Sequence, residues 1–471
     1  MANVCDTNLP VSYLDIRFIS VGRKNPVPSC RAYGMNPPDI GETPEETRAM
    51  ARAADDSDPL APFRDRFDVP GTYMDGNSLG ALSRDAERSL DRAVDQWRTH
   101  AVEGWTDAEP DWFHYGERLG GKLAPLVGAR ESEVTVCGST TTNIHTLIAT
   151  FYDAANGGSA ANEPNPGTIL VNDLDFPTDH YAIRAQLRQR GLDPDDHLSV
   201  VESEDGRTVS CDAVERTLQR DDVDVLFLPS VFYRSGQLLD IERLTDLAHA
   251  HGAYAGFDLA HSVGVVPHDL HDRGVDFAVW CHYKYLNAGP GAVAGMFCHE
   301  TNADLTPALA GWWGHEKETQ FEMRREFTPA DDAGRFQIGT IPILAAAPLD
   351  GSLDVTREAG IDRIREKSVA LTAYLVDLVE RLPDEFTVGS PRRAERRGGH
   401  VAVEHPEAYR LSEALKSRDV VVDFREPNVI RIAPAPLYTR FVDVLDVIET
   451  LREVHETGRY KQFDARSGGV T

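Results

Sequence analysis

Three short strings end in residue types that do chemistry. The apolar run Tyr254-Ala255-Gly256-Phe257 closes on Asp258-Leu259-Ala260-His261. The run Phe277-Ala278-Val279-Trp280 continues through His282-Tyr283-Lys284-Tyr285-Leu286-Asn287 into a Gly-Pro-Gly turn, and Ile169-Leu170-Val171-Asn172 leads to Phe176-Pro177-Thr178-Asp179. An acid at one strand end, a lysine at a nearby one and an aromatic from a third are what pyridoxal 5'-phosphate needs. The lysine amine forms a Schiff base, the carboxylate keeps the pyridine nitrogen protonated, and the aromatic stacks on the ring. A phosphate prefers a hydroxyl-rich helix N-terminus, and Ser139-Thr140-Thr141-Thr142-Asn143 opens an apolar helix after Val134-Thr135-Val136. Taken singly, an Asp at a strand end and a Ser or Thr before a helix are ordinary caps; their joint order is the specific signal. Of the seven lysines (24, 122, 284, 317, 367, 416 and 461), only Lys284 follows a buried strand in an aromatic, glycine-flanked setting.

These strings need a sheet to present them. From Thr72 to Pro342 short apolar runs, including Val225-Leu226-Phe227-Leu228, alternate with helix-patterned segments such as Tyr181–Arg190 and Ile241–His251. That alternation predicts an α/β fold with a mostly parallel sheet covered on both faces, whose strand carboxyl ends carry the ligand. From Leu349 on, a helix over Ile361–Arg381, strands near His400–Val403 and Val429–Ala433 and a last helix over Phe441–His455 predict a smaller α+β domain. The expected organisation is an opening segment 1–34, an N-terminal arm 35–71, a large cofactor-binding domain 72–345 and a small C-terminal domain 346–471. The opening segment carries a net charge of +2 before Met35 and an acidic stretch. Two readings of it stand: a gene-model extension with translation starting at Met35, or a flexible or packed arm.

The chain has 471 residues, 41% of them hydrophobic, and a net charge of −28. So acidic a surface repels phosphate backbones and anionic lipid, which argues against nucleic-acid and membrane partners. Dense carboxylates with few lysines suit solubility in concentrated salt and predict a halophilic host. Six scattered cysteines without CxxC spacing, no apolar stretch near the roughly 18 residues of a membrane span, and no basic-then-apolar leader predict a cytoplasmic protein with reduced thiols. His268, His271, His282 and His299 lack metal spacing, so no metal is expected. His145 reads as packing, and Arg392, Arg393, Arg396 and Arg397 as a solvated loop.

The string Tyr73-Met74-Asp75-Gly76-Asn77-Ser78-Leu79-Gly80 resembles the opening motif of kynureninases. So do Phe176-Pro177-Thr178-Asp179, Gly256-Phe257-Asp258-Leu259-Ala260-His261, Tyr283-Lys284-Tyr285-Leu286-Asn287, Gly311-Trp312-Trp313-Gly314-His315-Glu316 and Arg431-Ile432-Ala433-Pro434-Ala435-Pro436-Leu437-Tyr438. The resemblance implies a fold type I pyridoxal-phosphate enzyme of tryptophan catabolism that hydrolyses kynurenine, or 3-hydroxykynurenine, to anthranilate, or its 3-hydroxy form, and alanine. It makes Lys284 the Schiff-base lysine, pairs Asp258 with the ring nitrogen, and sets His261, Phe176, Pro177, Thr178 and Asp179 around the ring. It gives Thr140, Thr141 and Tyr283 to the phosphate, with Tyr283 also placed for proton transfer. It assigns Arg431, Asn77 and Ser78 to the substrate. Trp312 and Thr340 match positions supplied by a neighbouring subunit, which implies a homodimer.

Two positions depart from the family pattern. Pro229 stands where a small hydroxyl residue is usual near the phosphate, and Ser230 one step later takes its place as the candidate. Thr340 stands where some members have asparagine, which leaves the preference between kynurenine and its 3-hydroxy form open. An aminotransferase shares the same Schiff base and carboxylate grip. A cysteine desulfurase-like lyase also shares the fold, but it needs a late thiol, and Cys298 is the last cysteine.

Overall fold

A computed structural model describes residues 34–464, and the expectations for the opening segment lie, Gly34 aside, outside that range. Residues from Met35 on form one compact unit. Its centre is a seven-stranded sheet in the order Val134–Val136, Gly295–Cys298, Phe277–Trp280, Tyr254–Asp258, Val223–Pro229, Thr168–Asn172, Leu198–Val201. Every pairing is parallel except the two made by Gly295–Cys298, which runs against both neighbours. The sheet is therefore the expected mostly parallel one, with a reversed strand that no pattern in its four residues announces.

The strands read as unbroken apolar runs because both faces are buried. Successive residues alternate between two cores: Val225, Phe227, Phe277 and Val279 pack on one face with Phe151, while Leu226, Leu228, Phe257, Ala278 and Trp280 pack on the other with Leu119 and Leu123. Helices Thr140–Ala155, Pro177–Gln189 and Ile241–Ala250 follow strands, as their periodicity predicts. In register, Pro229 pairs with Asp258 and Asp258 with Val279, so the carboxyl ends of three neighbouring strands lie level.

The C-terminal part is a four-stranded antiparallel sheet in the order Thr387–Val388, Val401–Glu404, Val429–Ile432, Asp423–Arg425. Helices Ile361–Val379, Ala408–Lys416 and Phe441–Glu456 pack on it around Leu371, Tyr374, Leu411, Ile430 and Ile448. The arm belongs with this part. Thr72–Tyr73 pairs with Val420–Val421, and Asp75 bridges to Ala433. Asp55, on the helix Pro44–Asp56, accepts the Phe441 and Val442 amides at 2.6 and 3.1 Å and so caps the last helix. The boundary expected at 345/346 falls inside the helix Ile343–Ala359, which packs along Arg84–His100.

In the basic loop Arg392, Arg393 and Arg396 are exposed, as expected, and Arg397 alone is a correction. Arg397 is fully buried, donating to the Pro391 carbonyl at 2.9 Å, and Arg365 donates to the Ala394 and Arg397 carbonyls at 3.0 and 2.8 Å. Burial lowers the Arg397 pKa to about 10. Uncapped carbonyls in the tight turn attract these guanidiniums, a demand that composition does not reveal.

Candidate active site

Asp258 ends the strand Tyr254–Asp258, and its Oδ1 accepts the Ala260 amide at 2.8 Å, an Asx turn that brings His261 back over the sheet edge. Lys284 lies four residues beyond Phe277–Trp280. Its Nζ is 2.8 Å from His261 Nε2 and 5.9 Å from the Tyr283 ring centroid. Asn287, at φ 56°, makes the turn that closes this loop, with its amide donating to the Lys284 carbonyl at 2.9 Å. Gly80 explains the end of the opening motif: its amide donates to the Tyr283 carbonyl at 2.7 Å, and a Cβ there would lie 2.3 Å from the Lys284 carbonyl oxygen. The sequence-distant strings at 73–80 and 283–287 are thus one packed unit.

Asp175, Phe176, Asp179, Pro229, Tyr233, Asp258 and His261 line one cleft. Phe176 is half exposed there and packs edge-on against Tyr233, with ring centroids 5.4 Å apart. Pro177 takes the first turn of the following helix, where a missing amide hydrogen costs nothing, and so fixes Phe176 at its N-cap. Thr178 Oγ1 lies 2.8 Å from Thr141 Oγ1, so the helices starting at Pro177 and Thr140 present their N-terminal turns side by side. Two adjacent helix N-termini rich in hydroxyls favour an anion.

Burial raises the Asp258 pKa while the Lys284 charge pulls it down. Asp179 and Asp175 are pushed well above the usual carboxylate range, by burial first, with the Asp258 charge adding to it. His261 is driven well below its ordinary value by burial, then by the Lys284 charge, so it faces the lysine as a neutral ring. Burial also raises Tyr283, keeping its phenol protonated. Both Asp175 oxygens, Asp179 Oδ1 and His261 Nδ1 are buried without a hydrogen-bond partner. Unpartnered carboxylates around a lysine, beside an anion cradle and an open aromatic face, fit a group with a protonated ring nitrogen at one end and a phosphate at the other: pyridoxal phosphate.

Ser230 departs from expectation. Its hydroxyl is fully buried, 2.6 Å from Ser262 Oγ, which His268 Nε2 approaches at 2.9 Å. Committed to that chain, it is not on offer to a phosphate. Trp312 and Thr340 are exposed and stand apart from the cleft lining; Trp312 Nε1 donates to the Gln320 carbonyl at 3.3 Å. Arg431 is 1% exposed. Its Nη1 donates to the Tyr233 carbonyl at 2.7 Å, and its Nη2 to Ser78 Oγ at 2.8 Å and to Asp423. Asn77, with Oδ1 toward the guanidinium, accepts from Arg431 Nε at 3.3 Å and donates to Asp75 at 3.2 Å. The three predicted substrate residues thus meet, in a cluster that also contains Asp423.

Asp175, Tyr233, Asp423 and His400 were not singled out from the sequence. Asp175 adjoins a recognised string and could have been found there. His400 could not: it precedes the strand Val401–Glu404, and its ring lies 5.9 Å from that of His261 only through tertiary packing. Burial, then the Arg431 and Lys284 charges, lower its pKa to about 3.

The Kynureninase C-terminal domain family matches residues 364–451. The chain is 46% identical over 424 residues to a kynureninase of Bacillus cereus strain ATCC 10987, covering 89% of this chain and 97% of that one. It is equally identical over 423 residues to a kynureninase of Geobacillus thermodenitrificans, with the same coverage. Among solved structures, a cysteine desulfurase from Thermococcus onnurineus aligns with a TM-score of 0.69 at 17% identity, covering 88% of this chain and 99% of that one. That likeness shows the fold alone. At that identity and coverage to the Bacillus and Geobacillus proteins, the chain belongs to the kynureninase family.

Proposed function

We propose that the protein hydrolyses L-kynurenine, 3-hydroxykynurenine or both to the corresponding anthranilate and L-alanine, with pyridoxal phosphate held at Lys284. The observation that carries this is Lys284 Nζ set against a neutral His261 beside Asp258, in a chain 46% identical to kynureninases over most of its length.

The cofactor, when bound, supplies an electron sink for charge developing on the substrate. Lys284 would hold it covalently, and its amine is placed to move the proton at the substrate's Cα. Asp258 would keep the ring nitrogen protonated, with Asp179 beside it. Phe176 would stack on the ring, and Thr140, Thr141 and Thr178 would hold the phosphate at the paired helix N-termini. Tyr283, held protonated by burial, donates to the substrate's γ-oxygen and to Cβ. Arg431, Asn77 and Ser78 receive the α-carboxylate through donors that now meet Asp423 and the Tyr233 carbonyl.

A homodimer in which Trp312 and Thr340 complete the partner's site is supported by the exposed apolar side chains Trp312, Phe321, Met323, Ile338 and Leu344. Four unpaired cysteines support a cytoplasmic setting, and among the described residues no helix is long and apolar enough to cross a membrane. The division into arm, large domain 72–345 and small domain 346–471 is part of the same reading, with the arm grouped with the small domain. Adaptation to salt rests on the net charge of −28; equal stability in dilute buffer and molar KCl would refute it.

The test of function is anthranilate fluorescence when L-kynurenine is added to the cofactor-loaded protein, repeated with 3-hydroxykynurenine. Turnover of either supports the hydrolase and ranks the two. Silence with both, with cofactor bound, refutes it in favour of an aminotransferase or another lyase on this scaffold.

A further inference from the structure

The Arg431 cluster poses a charge problem, and the next strand answers it. Strands Asp423–Arg425 and Val429–Ile432 pair antiparallel with Asp423 directly opposite Arg431. Asp423 is fully buried. Its Oδ2 accepts from Arg431 Nη2 and, at 3.1 Å, from Ser78 Oγ, while its Oδ1 has no partner. Asp75, also buried, faces the same guanidinium through Asn77. Burial raises the Asp75 pKa, and the Arg431, Arg425 and Lys416 charges pull it down. One guanidinium between two carboxylates does not attract an anion: a substrate carboxylate entering there would meet more negative charge than positive.

Arg425 supplies the missing charge. Its Nη2 is 2.9 Å from the same Asp423 Oδ2 that Arg431 contacts, and its side chain is 30% exposed, against 2% for Arg431. The two arginines thus share one carboxylate oxygen, one from inside the protein and one from its edge.

Resting on the reading that Arg431 receives the substrate carboxylate, we propose that Arg425 is a positioning residue for substrate binding. It balances Asp423, removing the net negative charge of the cluster that would otherwise repel the α-carboxylate of an amino-acid substrate from the buried Arg431. Arg425 does not touch the reacting atoms; it acts through Asp423. A guanidinium that merely fastened two strands would support every ligand equally, whereas this role makes its removal selective for ligands that carry a carboxylate.

The experiment compares wild type, Arg425→Gln and Arg425→Lys as cofactor-loaded enzymes, with cofactor absorbance confirming equal loading. The readouts are KM and kcat for L-kynurenine, and the inhibition constant of its decarboxylated analogue, the aryl ketone amine without the carboxylate. Arg425→Gln is expected to raise KM for L-kynurenine about 30-fold, to leave kcat within about twofold, and to move the analogue's inhibition constant by less than about twofold. Arg425→Lys, which keeps the charge, restores most of the loss. Equal weakening of both ligands, or an unchanged KM, overturns the proposal. If wild type does not cleave kynurenine, the functional reading fails by itself. Arg425 is then judged on L-alanine against ethylamine, titrated by the cofactor's absorbance change: weakening of L-alanine alone supports it, and weakening of both or neither overturns it.

Discussion

Two of the seven lysines are held inside the protein in opposite ways. Lys367, on the helix Ile361–Val379, is 2% exposed, and its Nζ lies 2.6 Å from an Asp58 carboxylate that is equally buried. Asp58 Oδ1 also accepts the Leu60 amide at 2.8 Å, so both charges are met. Burial lowers the Lys367 pKa, and the Asp58 charge holds it up. Lys284 Nζ instead meets a neutral imidazole, and among the described residues no carboxylate reaches it within ion-pairing distance, although Asp258 and Asp179 act on it through space. A paired lysine is a fastener. An amine kept near acids but bonded to none remains a nucleophile and a base.

Lys284→Ala is the strongest way to break that contrast. Borohydride reduction of the loaded wild type should add one cofactor mass on the peptide carrying Lys284, and the variant should add none. Turnover of L-kynurenine should fall about 10⁴-fold or more. Lys367→Met should do the reverse, because it strands a buried carboxylate: folding stability falls by about 3–5 kcal/mol, while kcat of the folded fraction stays near wild type. Adding Asp58→Leu should recover much of that stability, read by urea denaturation. The contrast collapses if Lys284→Ala destabilises as much as Lys367→Met, or if Lys367→Met silences catalysis in a stably folded protein.

The fastener was invisible in the sequence and the candidate Schiff-base lysine was not, for a physical reason. Lys284 belongs to a local arrangement, a buried strand followed by an aromatic, glycine-closed turn, and local arrangements leave local patterns. The strand Phe277–Trp280 and the helix starting at Ile241 matched their apolar periodicity for the same reason. Lys367 meets Asp58 across more than 300 residues, and nothing near either predicts the other. Distance along the chain likewise hid His400 from His261. Asp423 is only 8 residues from Arg431, and what hid it is that nothing in those residues announces the antiparallel pairing that sets the two opposite each other. Arg397's buried role, too, is one that a run of arginines on a loop does not suggest. Ser230 is a different case. The first residue past a strand either faces the cleft or turns under the sheet edge, which sequence alone does not distinguish, and here its hydroxyl lies 2.6 Å from Ser262 Oγ. The pairing of Thr72–Tyr73, just past the arm, with Val420–Val421 is only two residues long, too short to carry a pattern.

The mildest test concerns the cleft's own unsatisfied groups. Asp175 is buried with both oxygens unpartnered, and burial, then the Asp258 and Asp173 charges, raise its pKa against a partial offset from Asn172. Asp179 faces the same field, relieved only by Lys284. Above the unfolded-state carboxylate pKa the folded protein therefore binds more protons than the unfolded chain, and the group's contribution to stability falls as pH rises toward its folded value. Asp175→Asn keeps the shape and removes the charge. In the cofactor-free protein it should flatten the fall of Tm between about pH 5 and about pH 8, and at the upper end stabilise by about 1–3 kcal/mol, the cost of one unmet buried polar group. Lys367→Met, which strands the buried Asp58 carboxylate, should lower Tm and steepen its fall with rising pH rather than flatten it. An Asp175→Asn profile parallel to wild type would mean that the cleft carries no unsatisfied charge, and that its difference from the Asp58–Lys367 pair is one of exposure rather than of readiness for a ligand.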